Sequence, residues 1–125
     1  MKIEVSNGEI LDKLSILEIK SKKITDPDKL INVEIERRSL LPAYDLISTT
    51  EEIKTKFHNL IEVNSMLWGI EDKIREKEYK KEFDDEFIEL ARSVYKTNDI
   101  RASIKKEINI LSNSKLTEEK SYVNY

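Results

Sequence analysis

Apolar residues recur along this chain at steps of three and four, the spacing that lines one face of an α-helix. Ile10, Leu14, Leu17 and Ile24 hold the first series, with Leu11 widening the stripe and Ser21 interrupting it. Just upstream, Ser6 and Glu9 stand at capping-box spacing, and Val5 and Ile10 occupy the two positions of a hydrophobic staple. The first helix therefore starts after Ser6. The alternation from Lys2 to Val5 allows a short extended lead-in but not a sheet. In "TDPDKL", Asp26 can cap a second helix and Pro27 suits its first position, where no N–H is needed. Leu30, Val33, Leu40, Tyr44 and Ile47 continue the stripe around Arg37. Pro42 lacks a backbone donor and is expected to end or kink this helix near Leu40–Leu41.

"STTEE" restarts the chain, with Thr49 and Glu52 again at capping-box spacing. The third helix is expected to be the longest, from Thr50 to Tyr79. Its stripe is Ile53, Phe57, Leu60, Asn64, Leu67, Glu71 and Ile74, flanked by Ile61 and Trp68, and it carries one glycine, Gly69. Phe83 and Asp84 repeat the staple-and-cap arrangement, with Phe83 facing Ile88, and open a fourth helix. Here the pattern divides. Phe87, Ile88, Ala91, Val94, Tyr95 and Ala102 fall on one face, and Ile100, Ile104, Ile108 and Leu111 on another about 140° away. Either the chain breaks at Thr97-Asn98-Asp99, one of these capping a new helix, or a single helix passes between two different partners. The joint is the more economical reading. It would place Arg101 in a first turn, where the helix dipole disfavours a cation, with Asp99 or Glu71 as the compensating carboxylate. "SNSK" stops the last helix, leaving residues 113–125 as a polar tail with two tyrosines.

These elements predict one all-α domain over 1–125, an antiparallel bundle of four to five helices with the lead-in and the tail. Composition agrees with it: 38% of residues are charged, 38% are hydrophobic, and there are only two Gly and two Pro. With 22 basic and 25 acidic residues the net charge is −3, which speaks against duplex nucleic acid or an anionic membrane as partner. The basic residues near the end of the chain do not form a stripe, since Arg92 and Arg101 point to opposite sides of a continuous helix. Cysteine is absent, so thiol catalysis and Cys-ligated zinc are excluded, and the composition fits a reducing compartment. No apolar run approaches the roughly 18 residues that cross a bilayer, and the first ten residues do not read as a signal peptide. A cytoplasmic location is expected.

Standard catalytic constellations lack parts. No Gly-rich phosphate loop occurs. His58 is the only histidine, which removes His-pair metal sites and a Ser-His-Asp triad with a helper histidine. Glu86 and Glu89 share a helical face as in a magnesium-binding helix, but no second pair with matching spacing faces them, so they read as a solvated surface. No cofactor and no metal is expected. More informative are polar residues on apolar stripes: Ser21, Arg37, Asn64, Glu71, Asn98 and Arg101. A polar group in a helical seam destabilises unless paired. Such groups either set register at a rim or converge, with Arg92 and Lys105, on a small anionic ligand, a task suited to the planar arginine fork.

Four blocks, "VSNGEILDKLSILEIKSKKI", "LWGIEDKIRE", "FIELARSVYKTNDIRASIKKEIN" and "EEKSY", together resemble a small bacterial family built on a domain of unknown function. Its members often occur beside genes for surface-polysaccharide synthesis, glycosyltransferases included. The resemblance runs from Ser6 to Tyr125 and implies that the polar residues of interest are Asn7, Glu9, Asp12, Lys13, Glu71, Asp72, Arg92, Asn98, Asp99, Arg101, Lys120 and Tyr122. The leading functional expectation is a non-enzymatic helical protein acting by self-association or by binding a protein partner. A homodimer with Trp68 near the contact is expected. The alternative is a protein that binds, or acts on, a small anionic metabolite such as a sugar phosphate or nucleotide sugar. Its candidate ligand-binding residues are Glu71, Arg92, Asn98, Asp99 and Arg101.

Overall fold

The computed structural model describes residues 1–125 and consists of four helices: α1 (Asn7–Lys23), α2 (Pro27–Ile47), α3 (Glu51–Lys80) and α4 (Asp85–Leu111). There is no strand. No helix is long and apolar enough to cross a membrane. Local chemistry explains where each helix starts. Ser6 Oγ accepts from the Glu9 amide at 3.1 Å, Asp26 from Asp28 at 2.9 Å and Asp84 from Phe87 at 3.0 Å, each satisfying a donor that the helix leaves free. Before α3 the cap is Thr50, which accepts from the Ile53 amide at 3.3 Å, one residue later than the Thr49–Glu52 spacing predicts. At α1 the Glu9 carboxylate pairs across the bundle with Lys105 at 2.6 Å.

Two expected helix ends do not occur. α2 continues through Pro42 to Ile47. Pro42 is exposed, so the Arg38 carbonyl that loses its partner lies on the wet side of the helix, where water can satisfy it. Nor is there a joint at Thr97-Asn98-Asp99, because α4 is a single helix from Asp85 to Leu111. Its change of buried face has another cause: two different elements cover it. Thr97, Ile104 and Ile108 are buried, the two isoleucines in the core. Tyr95, Asp99, Lys106 and Asn109 meet the residues after α4, which run back along it. Glu118 accepts from Asn109 at 3.4 Å, Glu119 pairs with Lys106 at 3.1 Å, and Tyr125 donates to Asp99 at 2.6 Å and sets its ring 5.1 Å from that of Tyr95.

The core joins Leu11 and Leu14 of α1, Ile47 of α2, Ile53, Phe57, Leu60 and Val63 of α3, and Ile104 and Ile108 of α4. α1 packs against all three other helices. Its second residue, Gly8, lies so close to the Lys105 carbonyl that a Cβ would collide with backbone, and its amide donates to Asn109 Oδ1 at 2.6 Å. Beyond this core α3 and α4 run on. The turn between them is closed by Lys81 in the left-handed region (φ 57°) and by Lys77, whose ammonium lies 2.9 Å from Asp84 and 3.2 Å from Glu86. Phe83 packs edge-on against Phe87, their centroids 5.2 Å apart, while Ile88 stays exposed. From Ser65 to Lys96 no residue is buried.

Candidate functional site

Where α1, α3 and α4 meet, polar side chains enter an otherwise apolar seam. Asp12, only 1% exposed, sits between Leu11 and Leu14 on the inner face of α1. An unpaired polar group there would be strongly destabilising. Arg101 of α4 supplies the counter-charge in a bidentate fork, Nε to Oδ1 at 2.8 Å and Nη2 to Oδ2 at 2.5 Å. Asn64 of α3 donates through Nδ2 to Asp12 Oδ1 at 3.0 Å and to Ser15 Oγ at 2.8 Å, and Ser15 donates in turn to the Asp12 carbonyl at 2.6 Å. Asn98 accepts from Arg101 Nη1 at 3.4 Å. Hydrogen bonding to Asp12 raises the pKa of Arg101 further, against the opposing effect of burial.

Over this network opens a cleft of about 370 Å³, lined by Ile16 and Ile19 of α1, Asn64, Leu67, Trp68, Glu71 and Asp72 of α3, and Asn98 and Arg101 of α4. Its size lies at the lower end of the range for small-molecule sites. The walls combine an indole, two carboxylates and two amides. Asn98 also lines a second hollow of about 420 Å³ between α4 and the C-terminal residues, with Val94, Tyr95, Asp99, Lys120, Tyr122, Val123 and Tyr125. There Lys120 lies 5.8 Å over the Tyr122 ring.

Of the candidate residues, the structure gathers Glu71, Asn98 and Arg101 in the cleft. Arg92 is not among them. It is exposed and pairs with Glu89 one turn earlier at 2.7 Å. Asp99 does not face the cleft; it lies on the side of α4 covered by the C-terminal residues, bonded to Tyr125. Neither Asp99 nor Glu71 compensates Arg101, whose partner is Asp12, 89 positions away in sequence. Ser15 belongs to the buried polar network, and the buried Asn109 accepts from the Gly8 amide, without either having stood out in the sequence. His58 is exposed, and no group of three or more His, Cys, Asp or Glu is placed to hold a metal ion.

With this geometry goes a family. Residues 1–125 match the Family of unknown function (DUF6165), and the chain belongs to it. No curated protein and no solved structure matches the chain.

Proposed function

We propose that the protein is a non-catalytic binding module of the bacterial cytoplasm and that the cleft between α1, α3 and α4 is its binding site. One observation carries this reading: Glu71, Asn98 and Arg101, with Trp68, converge on a concavity above a buried hydrogen-bonded network. A buried ion pair of this kind is weak support for stability, and holding a side chain in one orientation for a ligand is a reason to keep it. The nine lining residues include no Ser, Thr, Cys, His, Lys or Tyr to act as nucleophile. Glu71 and Asp72 are sequence neighbours about 100° apart on the helix, a poor arrangement for working as acid and base on one bond. An anionic metabolite is a weaker candidate than the sequence implies, because the arginine fork is occupied by Asp12.

Trp68 is the sole tryptophan, so its emission reports on the cleft directly. A screen of small polar compounds by thermal shift is expected to find a ligand that changes Trp68 emission and loses its effect in Trp68→Ala. At 100 times Kd such a ligand adds about 2.7 kcal/mol. A compound that raises Tm by several degrees yet leaves Trp68 emission untouched would locate the site elsewhere and overturn the reading.

A second reading concerns association with another copy of the chain. It is favoured by the outer lengths of α3 and α4, where Leu67, Ile70, Ile74, Phe87, Leu90 and Val94 are no better than half-buried. The pairs Lys56–Glu107 and Lys77–Glu86 support antiparallel α3 and α4. Two such helix pairs together have the makings of a four-helix bundle.

A further inference from the structure

We propose that the cleft takes a cationic group, an ammonium or guanidinium, carried on an aliphatic stem. The inference deepens the binding reading above and rests on it. Around the cleft stand one positive charge, Arg101, and three negative ones, Asp12, Glu71 and Asp72, a surplus of two negative charges. Arg101 and Asp12 neutralise each other in their bidentate pair. Glu71 has only Arg75, 3.6 Å away in an exposed and therefore weak pair, and Asp72 has no ion-pair partner. An anion entering here meets two carboxylates that oppose it, whereas a cation meets two partners.

Three further features agree. Asn64 is 5% exposed and lines the cleft. A carboxylate only accepts, so the amide nitrogen must face Asp12. Asn64 Oδ1 is thereby turned away from Asp12, and it receives no hydrogen bond from the protein. It is an acceptor suited to an N–H from a ligand. Trp68 and Asp72 are four residues apart on α3, so indole and carboxylate share one helical face, and indole is the best of the aromatic rings for holding a cation. Ile16, Ile19 and Leu67 supply an apolar floor for methylene groups. A free amine and a basic side chain of a partner peptide offer this same chemistry.

The test is a fluorescence titration of the full chain, read on Trp68, with agmatine, spermidine, a short peptide containing lysine and arginine, and inorganic phosphate. A saturable change is expected with at least one of the cationic probes. Raising salt should weaken it, and Asp72→Asn and Glu71→Gln should each lower affinity by roughly tenfold. Both residues are exposed, so melting should stay unchanged and the loss be one of binding. Tighter binding of the peptide than of the free amines identifies a partner's side chain as the source, and the reverse order identifies a free amine. Saturable phosphate binding that Asp72→Asn strengthens overturns the cationic assignment and leaves the cleft standing as the site. Indifference of Trp68 to every probe overturns the assignment. If a cation shifts melting without touching Trp68, the cleft reading falls with it.

Discussion

At the scale of single residues, Asp12 and Gly8 define how close the helices can come. Asp12→Ala leaves the Arg101 guanidinium without its partner and removes the acceptor of Asn64. A destabilisation of about 3 kcal/mol is expected from urea unfolding, as for other buried pairs that lose one member. Replacing both, as Asp12→Leu with Arg101→Met, should recover most of that loss, since the charge left behind accounts for much of it. If the single and double variants unfold alike, the pair is not a coupled unit. The two glycines give an opposite contrast. A Cβ at position 8 would collide with the Lys105 carbonyl of α4, backbone that cannot move aside cheaply, so Gly8→Ala is expected to destabilise by about 1–3 kcal/mol. Nothing lies near a Cβ at Gly69, and Gly69→Ala should stabilise by about 0.5–1 kcal/mol through helix propensity alone. Both are alanine substitutions within helices, so equal effects on Tm would contradict the packing assigned to Gly8.

At the scale of elements, the helix starts were readable because their signals are local. Ser6, Asp26 and Asp84 each cap a helix that begins at the next residue. What escaped the sequence is non-local. The two apolar faces of α4 were visible as a 140° swing on the wheel, but a swing has two causes. Choosing between a break and a second covering element required knowing that Glu118, Glu119 and Tyr125 fold back onto α4. Likewise Glu71, Asn98 and Arg101 stood out as polar residues on apolar stripes, whereas Asp12 came forward only through family resemblance. Its link to Arg101 spans 89 positions, and no periodicity encodes it. Asp99 and Arg92 show the converse, since rich polar neighbourhoods in sequence need not share a face.

The C-terminal residues are expected to respond to pH. Burial pushes the Glu118 carboxyl up, but the Ser6 hydroxyl, its own backbone amide, Lys105 and Asn109 together outweigh that and leave its pKa below the ordinary value. A depressed folded-state pKa gives stability that is present above the ordinary glutamate range and is lost as pH falls through the folded value. Acid below that range should therefore release residues 113–125 from α4 before the helices melt. Proteolysis after Lys115 and Lys120 by an acid-tolerant protease, or hydrogen exchange, would register the release. Glu118→Gln should expose these residues already at neutral pH and flatten the dependence. An unchanged profile in that variant would assign the acid response to another group.

At the scale of the whole molecule, burial is uneven along the length of the helices. Every fully buried apolar residue lies in or beside the part where α1 packs; none lies between Ser65 and Lys96. Over that stretch α3 adds sixteen residues, about 24 Å at 1.5 Å per residue, and past the cleft residues Leu67, Trp68, Glu71 and Asp72 it runs beside α4. Two helices alone cannot enclose a core, which is why small helical domains settle at three or four. Met66, Tyr79, Phe83 and Ile88 are exposed there beside the half-buried Ile70, Ile74, Leu90 and Val94. The stretch carries nine acidic and seven basic residues, so a second copy placed against it meets no net repulsion large enough to prevent contact. The expected outcome is a homodimer at micromolar concentration with Trp68 near the contact. Sedimentation equilibrium should give twice the chain mass of 14.7 kDa. Ile74→Glu and Leu90→Glu, which place a charge on that surface, should return the monomer. A clean monomer for the unaltered chain would sink the dimer, and the outer lengths of α3 and α4 would then be open to a different protein.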